Sequence, residues 1–314
     1  MLWTCFLTLA LAQDAVPESG PAAETAPEPS ETPAEPSTPA VPSYPDLPGT
    51  PSTDSPHFDL EVLYYQQEYD KGLAIARERI AANPEDPAPY WMLGRFLFEM
   101  SETYRKDDTS VNKMAVYTEM RDAAETALKV DPENTHALFA RGIANARLGT
   151  TRGVLASLWS AKGIERDWMQ VANDPKRYSS LGGNEMLPCD ANLALGIFYR
   201  LVPDWFIVQV LAGTRGDLDK SLMYLQRAVD VCPGRIGPTK ELGVTQLCIG
   251  ERRADDGMTA AGKATLQEVL RLTPQNDTDE LDLKHSQMLL GAPGLSCEYS
   301  RDGQQDLDRS ELEQ

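Results

Sequence analysis

Of five cysteines, Cys5 falls in an apolar leader expected to be removed on export, and the remaining four, Cys189, Cys232, Cys248 and Cys297, are the side chains of this chain with the most chemistry open to them. No Cys-x-x-Cys occurs, and His57, His136 and His285 are scattered, so a zinc site is not expected. Neither a metal nor another cofactor is predicted. The chemistry that remains is disulfide formation in an oxidising compartment, where four cysteines allow three connectivities.

Motifs for catalysis are missing. The sequence contains no His-Glu-x-x-His, P-loop, Gly-x-Gly-x-x-Gly or Gly-x-Ser-x-Gly. The acid groups Glu102/Asp107/Asp108 and Asp255/Asp256 stand among helix breakers and read as solvated loops. Arg215-Gly216-Asp217 matches an adhesion tripeptide, but Asp217 has a simpler role as the cap that starts a helix. The chain is therefore not expected to be an enzyme.

The elements that position the cysteines follow from a repeat. Pro84, Pro132 and Pro233 are each followed ten residues later by a glycine, Gly94, Gly142 and Gly243. Ile80, Leu128 and Val229 stand four residues before these prolines, and Leu270 stands four before Pro274. Recurrence at fixed offsets marks an internal repeat. Helical spacing of apolar residues places helices over Tyr69–Ala82, Met120–Val130, Leu218–Val231 and Ala260–Leu272, each closed by a proline that cannot continue it. A glycine within a helix costs about 1 kcal/mol relative to alanine. Its recurrence predicts that the second helix of each hairpin crosses the first at that point, too close for a side chain.

With Tyr90…Leu93-Gly94 and Leu138…Arg141-Gly142 in the first helices and proline after the second, residues 58–291 resemble the tetratricopeptide repeat (TPR). The resemblance implies an all-α solenoid of antiparallel helical hairpins. Another first helix fits Asn192–Arg200, with Leu195-Gly196 as its packing pair, and Thr278–Leu290 is expected to cap the stack. The ideal unit is about 34 residues, whereas the prolines here are 48, 101 and 41 residues apart. Extended inserts are expected at 101–119, 163–188, 202–215 and 251–259. The long hairpins and Leu193–Arg200 followed by Gly213–Ser221 are similar to TatT-like T components of TRAP transporters.

The hairpin register chooses among the cysteine pairings. Cys189 opens a first helix whose second helix is closed by Cys232. Cys248 ends another first helix, and Cys297 lies just beyond the cap that stacks beside it. Cys189–Cys232 and Cys248–Cys297 are the expected disulfides; the alternative is four buried thiols.

Around the repeats the composition changes. Residues 1–12 are apolar and end in Ala10-Leu11-Ala12, the pattern of a signal-peptidase site, so export to the periplasm or medium is expected. Residues 13–56 hold twelve of the 23 prolines and no Lys or Arg, the composition of a disordered tether. The repeat domain is assigned to 57–297 and an acidic disordered tail to 298–314. A net charge of −19 excludes a nucleic-acid partner, which needs a basic footprint. No transmembrane helix is expected in the mature chain.

The resemblance implies binding through the concave face made by the first helices. Trp91, Arg95, Phe98, Glu99, His136, Phe139, Ile143, Arg147, Leu193, Ile197, Arg200, Lys240, Val244 and Leu247 fall off the packed stripe. Apolar residues with four cations fit a protein or peptide partner, or a carboxylate-bearing ligand; packing against the next hairpin is the competing explanation. The apolar insert Leu201–Leu211 is the other candidate surface, read first as buried on its own hairpin and then as a subunit contact or cavity wall. The leading expectation is a non-catalytic exported scaffold for a partner protein or peptide. The alternative is a TatT-like accessory component holding a small hydrophobic organic acid beside a transporter.

Overall fold

The computed structural model describes residues 47–102, 111–152 and 154–301. The leader at 1–12, most of the Pro-rich segment, Asp107 and Asp108, and the acidic end beyond 301 lie outside the described residues.

Among the described residues five helical hairpins follow one another. They are α1 (Phe58–Tyr65) with α2 (Tyr69–Ala82), α3 (Ala88–Glu102) with α4 (Lys113–Val130), and α5 (Thr135–Arg152) with α6 (Val154–Ala172). Then come α7 (Cys189–Leu201) with α9 (Leu218–Val231) and α10 (Ile236–Arg253) with α11 (Asp256–Val269), while α8 (Phe206–Ala212) interrupts the fourth hairpin. The last helix, α12 (Asp277–Gly291), packs on both α10 and α11 as the expected cap. Among the described residues no helix is long and apolar enough to cross a membrane.

The glycine crossings are those the repeat requires. A Cβ on Gly142 of α5 would run into the Trp168 indole of α6, and one on Gly196 of α7 into Leu225 of α9. Leu225 is completely buried, which stabilises the fold by about 2 kcal/mol. Short polar side chains cap α4, α9, α11 and α12. Asp217 accepts from the backbone N–H groups of Asp219 and Lys220 at 3.1 and 3.0 Å, which assigns this aspartate to capping α9.

Three expected inserts are smaller than the proline spacing implied; α4 already begins at Lys113, within the one expected at 101–119. Residues 163–172 continue α6, and α10 runs to Arg253, leaving Ala254 and Asp255 as its whole link to α11. The segment 163–172 escaped the repeat because Pro175, which follows α6, is not answered by a glycine ten residues on. A β-ribbon intervenes instead: β1 (Tyr178–Ser179) pairs antiparallel with β2 (Met186–Leu187), with Tyr178 opposite Leu187. Residues 47–56, read from composition as tether, lie in turns, and the Ser179 N–H donates to the Gly49 carbonyl at 3.3 Å.

An apolar core runs without a break from Leu60 to Tyr224 across four hairpins. A second cluster, Val244, Leu247, Leu266, Leu289 and Tyr299, serves the last hairpin and the cap.

Candidate functional site

The first helices α3, α5, α7 and α10 carry the predicted binding residues, and the chain's own inserts cover much of that face. Trp91, Arg95, Phe139, Arg200, Lys240 and Val244 are buried. Phe98, His136, Ile143, Arg147, Leu193 and Ile197 are half-buried.

At one end the β-ribbon and α1 close over α3 and α5. The Arg95 guanidinium lies 3.0 Å from the Glu61 carboxylate, with both side chains almost fully buried. Arg95 also donates to the Tyr178 hydroxyl, which donates in turn to Glu61 at 2.9 Å, and it covers the Tyr64 ring at 4.0 Å. Trp91 stacks on His136 with ring centroids 4.1 Å apart, and Tyr178 meets the imidazole edge-on. His136 Nδ1 is 3.6 Å from Glu185. Burial alone would raise the Glu185 carboxyl, but His136 and Arg95 outweigh it and hold the group below its usual range.

The other end is closed by residues 293–301. Arg200 donates to the backbone oxygens of Ser296 at 3.1 Å and Tyr299 at 2.7 Å, and pairs with Glu241 at 2.5 Å. Lys240 is 2.6 Å from Asp282 and 2.8 Å from Glu241. These carboxylates overcome the burial that would discharge the ammonium and hold its pKa above the usual value. Lys240 also donates to the Tyr299 hydroxyl at 2.9 Å, and that hydroxyl lies 2.9 Å from His285 Nδ1.

Every cation of the predicted face thus meets a carboxylate of the same chain, with Arg147 on Glu102 at 2.8 Å completing the set. Those partners come from α1, α3, α10 and α12. Glu61, Tyr178, Glu185, Glu241, Asp282, His285 and Tyr299 were missed by spacing along single helices. Tyr299 alone left a trace, as an aromatic two residues after a cysteine in a polar end.

Glu99 lies between the two closures. It accepts from the Tyr64 hydroxyl at 2.7 Å. Burial, reinforced by Glu102 and Glu185 against the Tyr64 hydrogen bond, pushes its carboxyl up to about 7.

The cysteine pairs are those the hairpin register selected. Cys189 and Cys232 are bonded with Cα atoms 6.1 Å apart, and Cys248 and Cys297 with Cα atoms 4.6 Å apart. The second bond anchors residues 293–301 to the end of α10. Among the described residues no group of three or more His, Cys, Asp or Glu is arranged to hold a metal ion. A hollow of about 670 Å³, bordered by Arg77, Tyr90, Leu93, Met114 and Glu119, opens on the second-helix side between α2 and α4.

No protein-family model matches the chain. No curated protein matches it either. Among solved structures it is similar to TTC0263, a thermophilic TPR protein in Thermus thermophilus, at 17% identity over 74% of this chain and 97% of that one, with a TM-score of 0.44. It is also similar to a MamA RS-1 ArsTM double mutant (15% identity, 67% and 90% covered, TM-score 0.40) and to MamA (12% identity, 65% and 91% covered, TM-score 0.40). The hairpin order and the glycine crossings of this chain make its fold that of a TPR-like α-solenoid.

Proposed function

We propose that the protein is an exported, non-catalytic scaffold that binds an extended segment of a partner protein along the concave face of its first helices. The observation that carries this is the grip of Arg200 on residues 293–301. One guanidinium takes two main-chain carbonyls, Ser296 and Tyr299, while the Tyr299 ring is buried beside Lys240 and His285. Main-chain hydrogen bonds with a pocketed side chain are how peptide grooves combine affinity with specificity. Phe98, Ile143, Arg147, Leu193 and Ile197 are only half-buried and form the stretch of that face on which a partner segment would continue. Two bonded cysteine pairs support an oxidising compartment.

The alternative, an accessory component enclosing a small organic acid, has less support. The hollow of about 670 Å³ lies on the second-helix side, and the concave-face cations already hold carboxylates of this chain.

Photo-crosslinking tests the proposal. A benzophenone side chain at Ile143 or Leu193 should capture the same partner from native extract, and one at Met223, exposed on α9, should not. No adduct from the concave positions, or equal capture from Met223, would overturn it.

A further inference from the structure

The two disulfides differ in what can reach them and in what they hold. Cys189 and Cys232 are both buried, and their bond ties the start of α7 to the end of α9 within one hairpin. Cys248 is buried too, but its partner Cys297 is only half-buried. Cys297 borders a surface hollow of about 300 Å³ together with Glu251, Arg252 and Glu298. Thiol–disulfide exchange needs access to one sulfur, so Cys248–Cys297 is the bond open to it. What it holds is residues 293–301. The other ties of that segment are two main-chain carbonyls on Arg200, the Tyr299 hydroxyl on Lys240 and His285, and the Arg301 guanidinium 3.8 Å from Glu102. Its seating is incomplete. Arg200 Nε and Ser296 Oγ are buried with no hydrogen-bond partner among the described residues, a cost that a covalent tether can impose and a free segment would avoid.

Building on the peptide-binding reading above, we infer that residues 293–301 are a self-occupying strap latched by Cys248–Cys297. A dithiol reductant opens the site beneath it to a tyrosine-bearing segment of a partner. The thiolate of the dithiol attacks Cys297 Sγ, the S–S bond breaks, and Cys248 leaves with the electron pair and takes up a proton. The second thiol of the reductant then displaces Cys297 from the mixed disulfide. Two cysteine thiols and one oxidised dithiol result, a transfer of two electrons. Release of the strap takes both carbonyl acceptors from Arg200 and vacates the Tyr299 pocket, which Lys240, His285, Val244 and Leu247 border. An incoming segment fits if it offers the same two features. These are main-chain carbonyls three residues apart for the guanidinium, and a phenol whose hydroxyl accepts from Lys240.

Fluorescence anisotropy with a labelled peptide of residues 292–301, carrying Cys297→Ser, tests the inference on the full chain. Reduced wild type should bind this peptide at least tenfold more tightly than oxidised wild type. The full-length Cys297→Ser variant should match the reduced chain without reductant, and the peptide with Tyr299→Ala should lose the binding. During a dithiothreitol titration, alkylation and mass spectrometry should find Cys248 and Cys297 labelled while Cys189 and Cys232 stay bonded. Chymotrypsin should then cut after Tyr299, which is fully buried in the oxidised chain. Equal peptide binding in both redox states would overturn the latch and leave the peptide-binding reading standing. Opening of Cys189–Cys232 first, a reduced chain uncut at Tyr299, or cleavage throughout the chain would each overturn it too. So would a chain that is cut at Tyr299 on reduction yet binds no peptide in either state; the crosslinks at Ile143 and Leu193 then decide the peptide-binding reading on their own.

Discussion

Arg200 of α7 reaches 2.7 Å to the backbone oxygen of Tyr299, ninety-nine residues further along the chain. Through it the fourth hairpin holds the segment that follows the cap, and residues 293–301 cover the side of α7 and α10 that carries Arg200 and Lys240. The ion pairs beneath that segment, Arg200–Glu241 and Lys240–Asp282, are buried and internal.

Lys240→Met should destabilise the protein by about 3–5 kcal/mol in urea denaturation, because it strands Asp282 as a buried charge and leaves Glu241 with Arg200 alone. Combining it with Asp282→Asn should recover part of the loss. A cost below about 1 kcal/mol would mean that water reaches these carboxylates.

Opening of the Cys248–Cys297 bond should loosen the same segment. Cys297→Ser removes a link across 49 residues, worth about 4 kcal/mol on the chain-entropy model and somewhat less in practice. Hydrogen exchange should rise first at residues 293–301, and reduced wild type should match the variant.

Glu99 should make stability fall as pH rises. Its folded-state pKa, about 7, stands above the ordinary 4.5, so the folded chain keeps a proton that the unfolded chain releases. The stability this contributes is complete below about pH 4.5 and is lost as pH climbs to about 7. Glu99→Gln cannot ionise. Its melting temperature should equal that of wild type at about pH 4, and its stability should exceed that of wild type at about pH 8 by on the order of 2 kcal/mol. Parallel pH profiles for the two proteins would exclude a buried, protonated Glu99.

Two glycine substitutions should move stability in opposite directions. Gly142→Ala drives a methyl group into the Trp168 indole and should cost about 1–3 kcal/mol. Gly163→Ala, in the next helix, meets open space and should gain about 0.5–1 kcal/mol from helix propensity. Thermal melts of the two variants beside wild type decide it.

The hairpins were legible in the chain because their signals are local. Proline removes a backbone donor and glycine removes a Cβ, and both act within a turn or two of their own position. That is why Tyr69–Ala82 and Leu218–Val231 could be read to the residue, and why the hairpin register selected Cys189–Cys232 and Cys248–Cys297. Helical spacing set Arg95, Arg200 and Lys240 off the packed stripe, and the structure buries all three. What covers that side was settled by packing alone. Glu61, Tyr178 and Tyr299 belong to a short leading helix, an insert and a polar end, none of which follows the repeat. They meet the first-helix cations only because the fold brings distant segments together, and a charge taken out of water must find its counter-charge wherever the fold can supply one.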